Sequence, residues 1–209
     1  MKVEIINYSD QWQAVKDAAM NTIGIESGKY PTEKWKRKML LAEHSPIRLI
    51  ELTVRISDVP YWVVMHLVRH KIGIEHFVST QRTDRTGENR NEKLQSALID
   101  YTFRVNAQAL ISISRRRLCA QAAPETRRAW KAVIDAVREV EPEIAEICVP
   151  ECVYRGRCFE LKCCGYYPTD KWLHDLVAYR TGERDDTRAR GCTDFCELEN
   201  RSENETSNL

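Results

Sequence analysis

Between residues 49 and 56 the chain alternates without a break. Ile50, Leu52, Val54 and Ile56 point one way, and Glu51, Thr53 and Arg55 the other. Strand side chains switch faces at every residue, so the pattern dictates a half-buried strand whose apolar side must be covered by another layer. Asp58-Val59-Pro60 follows, with Asp58 as an acidic cap and Pro60 near a first turn, predicting a helix over 61–71 that stops near Gly73. Residues 3–6 read as a short strand, with Ser9 and Asp10 as caps for a following helix. A polar, basic stretch fills residues 29–38. Residues 75–80 read as extended and 81–91 as a polar loop. Leu110, Ile113 and Leu118 recur at helical spacing over 106–121, Pro124 breaks that helix, and Ala129, Val133 and Val137 mark the next, to about residue 140. Beyond Pro150 the pattern is irregular and rich in cysteine. Residues 181–209 are polar and charged, and are expected to be poorly ordered.

The length of 209 residues fits one domain over 1–180 followed by the polar tail, and 43% apolar residues suffice for a core. Lys and Arg number 32 against 31 Asp and Glu, a net charge of +1. That balance gives no bulk attraction to nucleic acid or an acidic membrane, so an anionic ligand needs a local cluster of basic groups. The first ten residues lack a basic flank followed by an apolar core, and no apolar run reaches membrane-spanning length. A cytoplasmic protein is expected, its eight cysteines thiols or metal ligands rather than disulfides.

The most informative segment is Arg69-His70-Lys71, seven residues, then Ser79. Three basic side chains at a helix end could simply complement its dipole. The arrangement also resembles the flavin-dependent thymidylate synthases, which carry Arg-His-Arg, seven residues, then Ser. Two further segments agree. Glu43-His44-Ser45-Pro46-Ile47-Arg48 looks like the segment that precedes the family's strand. Asn106 and Arg117 keep the eleven-residue separation of its helix, and Glu125-Thr126-Arg127 resembles the Glu-Ile-Arg that follows in many members. Eleven residues bring a helix nearly back to one face, ~16 Å along.

The resemblance implies an α+β fold, a mostly antiparallel sheet packed with helices, and a homotetramer. It implies reductive methylation of dUMP to dTMP, with FAD as cofactor and NADPH and methylenetetrahydrofolate as co-substrates. Arg69, His70 and Lys71 would contact FAD, supported by Ser45, Asn106, Gln108 and Ser112. Ser79 would meet the nucleotide phosphate, with Val78, Gln81, Arg82 and Arg90 beside it and His66 lining the pocket. The family has Ser-x-Arg where this chain reads Ser79-Thr80-Gln81-Arg82, so either Gln81 keeps the place without charge or Arg82 substitutes. Arg117 would be catalytic, favouring the ionised pyrimidine, because a cation beside the carbonyl and N3 lowers the cost of negative charge. Its rival reading is one arm of a solvated Arg115-Arg116-Arg117 run. Where the family has Asn-Glu this chain has His76-Phe77, and Phe77 either stacks on a ligand or packs as core.

Other signals are less specific. His66 and His70 stand four apart, the spacing of a metal pair, but without a metalloprotease's acidic pattern. Cys152, Cys158, Cys163 and Cys164 could hold a structural zinc, with Cys119 or Cys148 supplying another ligand, or remain buried thiols. Cys192 and Cys196 look incidental. Two alternative functions stay open: a flavin enzyme that modifies pyrimidine nucleotides differently, and a nucleic-acid-binding module built on Arg115–Arg117 and a cysteine-held metal. The even charge balance counts against the second, so no nucleic acid is expected as a partner.

Overall fold

The computed structural model describes residues 1–182. Its elements run β1 Lys2–Tyr8, α1 Trp12–Asn21, α2 Glu33–Leu41, a 3-10 turn Ser45–Leu49, β2 Glu51–Pro60, α3 Tyr61–Leu67, β3 Ile74–Val78, α4 Thr83–Thr86, a 3-10 turn Arg90–Glu92 and β4 Leu98–Asn106. Helices α5 Ala107–Arg117, α6 Pro124–Arg138, α7 Pro142–Ile147, α8 Glu151–Tyr154 and α9 Asp170–Thr181 follow. The four strands form one antiparallel sheet in the order β1-β2-β4-β3. The expected α+β class with an antiparallel sheet and packed helices is what forms.

The alternation of β2 works as the pattern dictates. Ile50, Leu52, Val54 and Ile56 are fully buried, each worth roughly 1.5–3 kcal/mol of burial. Helices α3, α5 and α6 cover that face. Trp130 of α6 stacks on Phe103 of β4 and donates from Nε1 to Ser114 Oγ of α5 at 2.9 Å, tying the two layers together. The opposite face is charged, with Arg104 between Glu75 and Glu51.

Asp58 does not cap a helix. It takes φ +55 in a bulge that sets two residues of β2, Ser57 and Asp58, against one of β4, Asp100, so Val59 turns back into the core and the strand runs on to Pro60. The first amides of α3 are satisfied instead by the loop before β4: Tyr61 donates to the Ala97 carbonyl and Trp62 to that of Gln95. The basic stretch at 29–38 contains α2, capped by Thr32 through the Trp35 amide. The region past Pro150 is less irregular than expected, holding α8 and α9, and α9 runs through Thr181 to a left-handed Gly182. The rest of the predicted tail, with Cys192 and Cys196, lies outside the described residues. Among these, no helix is long and apolar enough to cross a membrane.

Candidate functional site

Helix α3 ends at Leu67, four residues short of the expected Lys71, and the His70 amide closes a tight turn onto the Leu67 carbonyl. Arg69, His70 and Lys71 therefore occupy the turn between α3 and β3, and His66 and His70 do not share a helix face. Gly73, at φ +70, reverses the chain into β3. Arg69 and Lys71 stay exposed while His70 turns inward, half-buried.

Arg117 meets His70 there. Its Nε donates to His70 Nε2 at 2.9 Å, and its Nη2 donates to the His66 carbonyl. An arginine only donates, so His70 Nε2 must accept, which fixes His70 as the neutral ring with its proton on Nδ1. Burial, then the charge of Arg117, pushes His70 down to about 4, in keeping with that tautomer. Burial also lowers the pKa of Arg117, with Arg69 adding to it. Arg117 thus faces α3 rather than solvent.

A second histidine braces the turn. His76 Nε2 donates to the His70 carbonyl at 2.6 Å, so a neutral His76 accepts the Tyr101 hydroxyl at Nδ1, also at 2.6 Å. His66 Nδ1 lies 2.9 Å from Thr126 Oγ1 at the start of α6. Sequence reasoning missed Tyr101, His76 and Thr126 in these roles. The signal for Tyr101 was present: Ile99, Tyr101, Phe103 and Val105 alternate as cleanly as β2 does. Strand parity sends Phe77 to the opposite face from His76, where it is 56% exposed, so it is neither core nor beside Arg117.

Tyr61 and Met65, one turn apart on α3, border an open groove of about 420 Å³ with Val78, Ser79, Gln81, Arg82 and Arg90. The groove brings together five residues expected around a nucleotide. Ser79 Oγ accepts the Asp100 amide at 3.1 Å, leaving its hydroxyl hydrogen to donate. Arg82 is committed to Asp84 through two bonds of 3.0 and 2.7 Å. Gln81 Nε2 is buried without a partner, an uncompensated donor at the groove wall. Of the two residues at the place of the Ser-x-Arg, Gln81 carries the unpartnered donor and Arg82 is paired.

The start of α5 is more self-contained than expected. Asn106 caps the helix, its Oδ1 accepting the Ala109 amide at 2.9 Å. Ser112 Oγ donates to the Gln108 carbonyl, and Ser45 is exposed at the head of its 3-10 turn. Gln108 Nε2 donates to Glu43 at 2.5 Å. The other Glu43 oxygen accepts from Arg115, whose guanidinium lies 3.5 Å from the centre of the Tyr154 ring. Arg115 is thus largely buried, whereas Arg116, paired with Glu160, is the solvated arm.

Cys119, Cys152, Cys158 and Cys164 line a small cavity of about 30 Å³ between the end of α5, α8 and the following loop. Cys163 is exposed, its Sγ 3.4 Å from the Tyr167 carbonyl, and Cys148 is buried elsewhere. Among the described residues no group of three or more His, Cys or acidic side chains stands ready around one point to hold an ion.

No protein-family model matches the chain, and no curated protein matches it in sequence. Its fold is similar to solved structures. Two are of the flavin-dependent thymidylate synthase ThyX from Helicobacter pylori with FAD and dUMP, at TM-scores of 0.58 and 0.57 and 12% identity. They cover 71% of this chain and 100% and 99% of those chains. A third is the UMP/dUMP methylase PolB from Streptomyces cacaoi bound with 5-Br dUMP, at 0.54 and 15% identity, covering 70% of this chain and 93% of that one. The chain has the fold of the flavin-dependent thymidylate synthases.

Proposed function

We propose that the protein is an enzyme that binds FAD and a deoxyuridine nucleotide and methylates dUMP to dTMP, with methylenetetrahydrofolate and NADPH as co-substrates. The observation that carries this reading is Arg117 held by a neutral His70. It joins two sequence segments typical of such enzymes, on a fold whose solved relatives bind FAD and dUMP.

Arg69, Lys71 and Arg90 have no carboxylate partner among the described residues. Together with the unpartnered Gln81 amide, they form a donor set that fits anionic ligands. Bound FAD would supply the hydride-transfer chemistry. Arg69 and Lys71 would hold its dinucleotide, and Ser79, Gln81 and Arg90 the nucleotide phosphate. Arg117 would stabilise negative charge on the pyrimidine. A neutral His70 serves that role, because it orients Arg117 without cancelling its charge, as a carboxylate partner would. The exposed Arg69, Lys71, Ile72 and Phe77 on one edge suit a homotetramer whose sites are completed by neighbouring copies.

The test is direct. Purified protein should be yellow or take up FAD, and should convert dUMP to dTMP with methylene-labelled folate and NADPH. Arg69→Ala should lose flavin while keeping its circular dichroism spectrum. Protein that binds no FAD would overturn the proposal. His76-Phe77 in place of Asn-Glu favours a second reading, a different pyrimidine modification, which labelled product analysis separates from the first.

A further inference from the structure

We propose that Cys119, Cys152, Cys158 and Cys164 form a tetrathiolate site for one zinc ion, which pins the loop between α8 and α9 to the end of α5. Cys163, which the sequence places in the same cluster, is left out.

The four sulfurs come from three separate segments and border one cavity. Half of the eight cysteines in the chain thus meet at one small cavity, Cys152 buried, Cys119 and Cys158 partly buried and Cys164 exposed. The cavity has the size for one ion: about 30 Å³ exceeds the ~10–15 Å³ that a single water needs, and is too small for an iron–sulfur cluster. The backbone amides of Gln121 and Glu160, each two residues on, favour negative sulfur at Cys119 and Cys158. The loop also needs a fastening. It has little regular structure, and its first half is not held by apolar burial: Phe159 and Leu161 are exposed, 54% and 109%, and burial resumes only at Tyr166.

The thiols line the cavity without yet converging on one point. Binding would draw them in to ~2.3 Å from the ion and release four protons, leaving a site of net charge −2. Zinc takes its cysteine ligands as thiolates, so its affinity should drop as the pH falls.

The experiment is metal analysis of the full chain purified without chelator, for the wild type, Cys119→Ser and Cys163→Ser. One zinc per chain is expected in the wild type and in Cys163→Ser, and less than a tenth of that in Cys119→Ser. Cobalt exchanged into the wild type should show the intense sulfur-to-cobalt absorption of a four-thiolate tetrahedral site, a readout that depends on no variant. Zinc kept by Cys119→Ser but lost by Cys163→Ser would overturn the ligand set. No zinc, or iron with sulfide, would overturn the site altogether.

Discussion

Removing Arg117 should change how the protein responds to acid, and the structure gives the sign and size. His70 titrates at about 4 instead of 6.5. Its folded pKa lies below its unfolded one, so its contribution to stability is present above pH 6.5 and is lost as the pH falls through about 4. The shift of roughly 2.5 units corresponds to ~3.4 kcal/mol at ~1.36 kcal/mol per unit. The ring is only half-buried, so solvent screening reduces this to about 1–2 kcal/mol. Arg117→Ala deletes the bonds to His70 and to the His66 carbonyl, a loss of about 1–2 kcal/mol at pH 7.5, at about 1 kcal/mol per bond. It also removes a positive charge facing the ring, so the pKa of His70 rises, yet stays below 6.5 because burial is the larger cause. The stability gap between wild type and variant should therefore narrow as the pH falls from 7.5 to 4.5. Urea unfolding at fixed protein and flavin concentration measures the gap, and ring-nitrogen NMR follows His70 itself. A gap constant with pH, or a wild-type His70 titrating near 6.5, would refute the pairing. In turnover, the same variant should lose about 100-fold or more in kcat with little change in nucleotide binding, the mark of an interaction strengthened in the transition state.

Gly73→Ala forces a left-handed alanine, whose Cβ would lie 2.6 Å from Asn106 Nδ2, displacing the α5 cap. The expected cost is about 2–3 kcal/mol in urea unfolding, against about 1 kcal/mol for Gly87→Ala, which is left-handed in open space. Arg115→Ala strips Glu43 of its cation and Tyr154 of its stacked guanidinium, and should cost about 1–3 kcal/mol, whereas Arg116→Ala, at an exposed pair, should cost less than about 0.5 kcal/mol; equal losses in thermal unfolding would contradict the burial of Arg115. Ser79→Ala should raise KM for the nucleotide about tenfold or more with kcat nearly unchanged, since one charge-assisted bond is worth ~1.5–3 kcal/mol; a collapse of kcat at normal KM would assign the hydroxyl a chemical role.

How much of this was legible depended on whether a feature is local. The faces of β2 and the apolar spine of α6 are set by period alone, and both form as the sequence dictates. Arg117 on an inward face followed from helix geometry. The length of α3 did not, because loop carbonyls of Gln95 and Ala97 start it and a tight turn at Leu67 ends it, neither a property of its own residues. Strand β4 was missed although its alternation was readable. The short helices past Pro150 carry no long amphipathic repeat, and are held by contacts such as the Trp172 Nε1 bond to the Cys152 carbonyl. Arg115 shows the limit of helical geometry: facing away from Arg117 reads as solvent until Glu43 and Tyr154 arrive from elsewhere in the chain.

The parity of β3 also bears on the departure at His76-Phe77. Side chains at 74, 76 and 78 point toward the helices, and those at 75 and 77 point away. A carboxylate at 77 would therefore lie on the outer face, beside Glu75 and Arg104, and not against His70 or Arg117. Its replacement by phenylalanine leaves the Arg117 cluster electrostatically unchanged and turns a charged position on an edge strand into an apolar one. Position 76 is the inner one, and there histidine does what a shorter asparagine would reach less readily, bridging the Tyr101 hydroxyl and the His70 carbonyl in one span. The two changes thus act on different faces: His76 stiffens the turn that aims His70 at Arg117, and Phe77 alters what can pack against the sheet from outside.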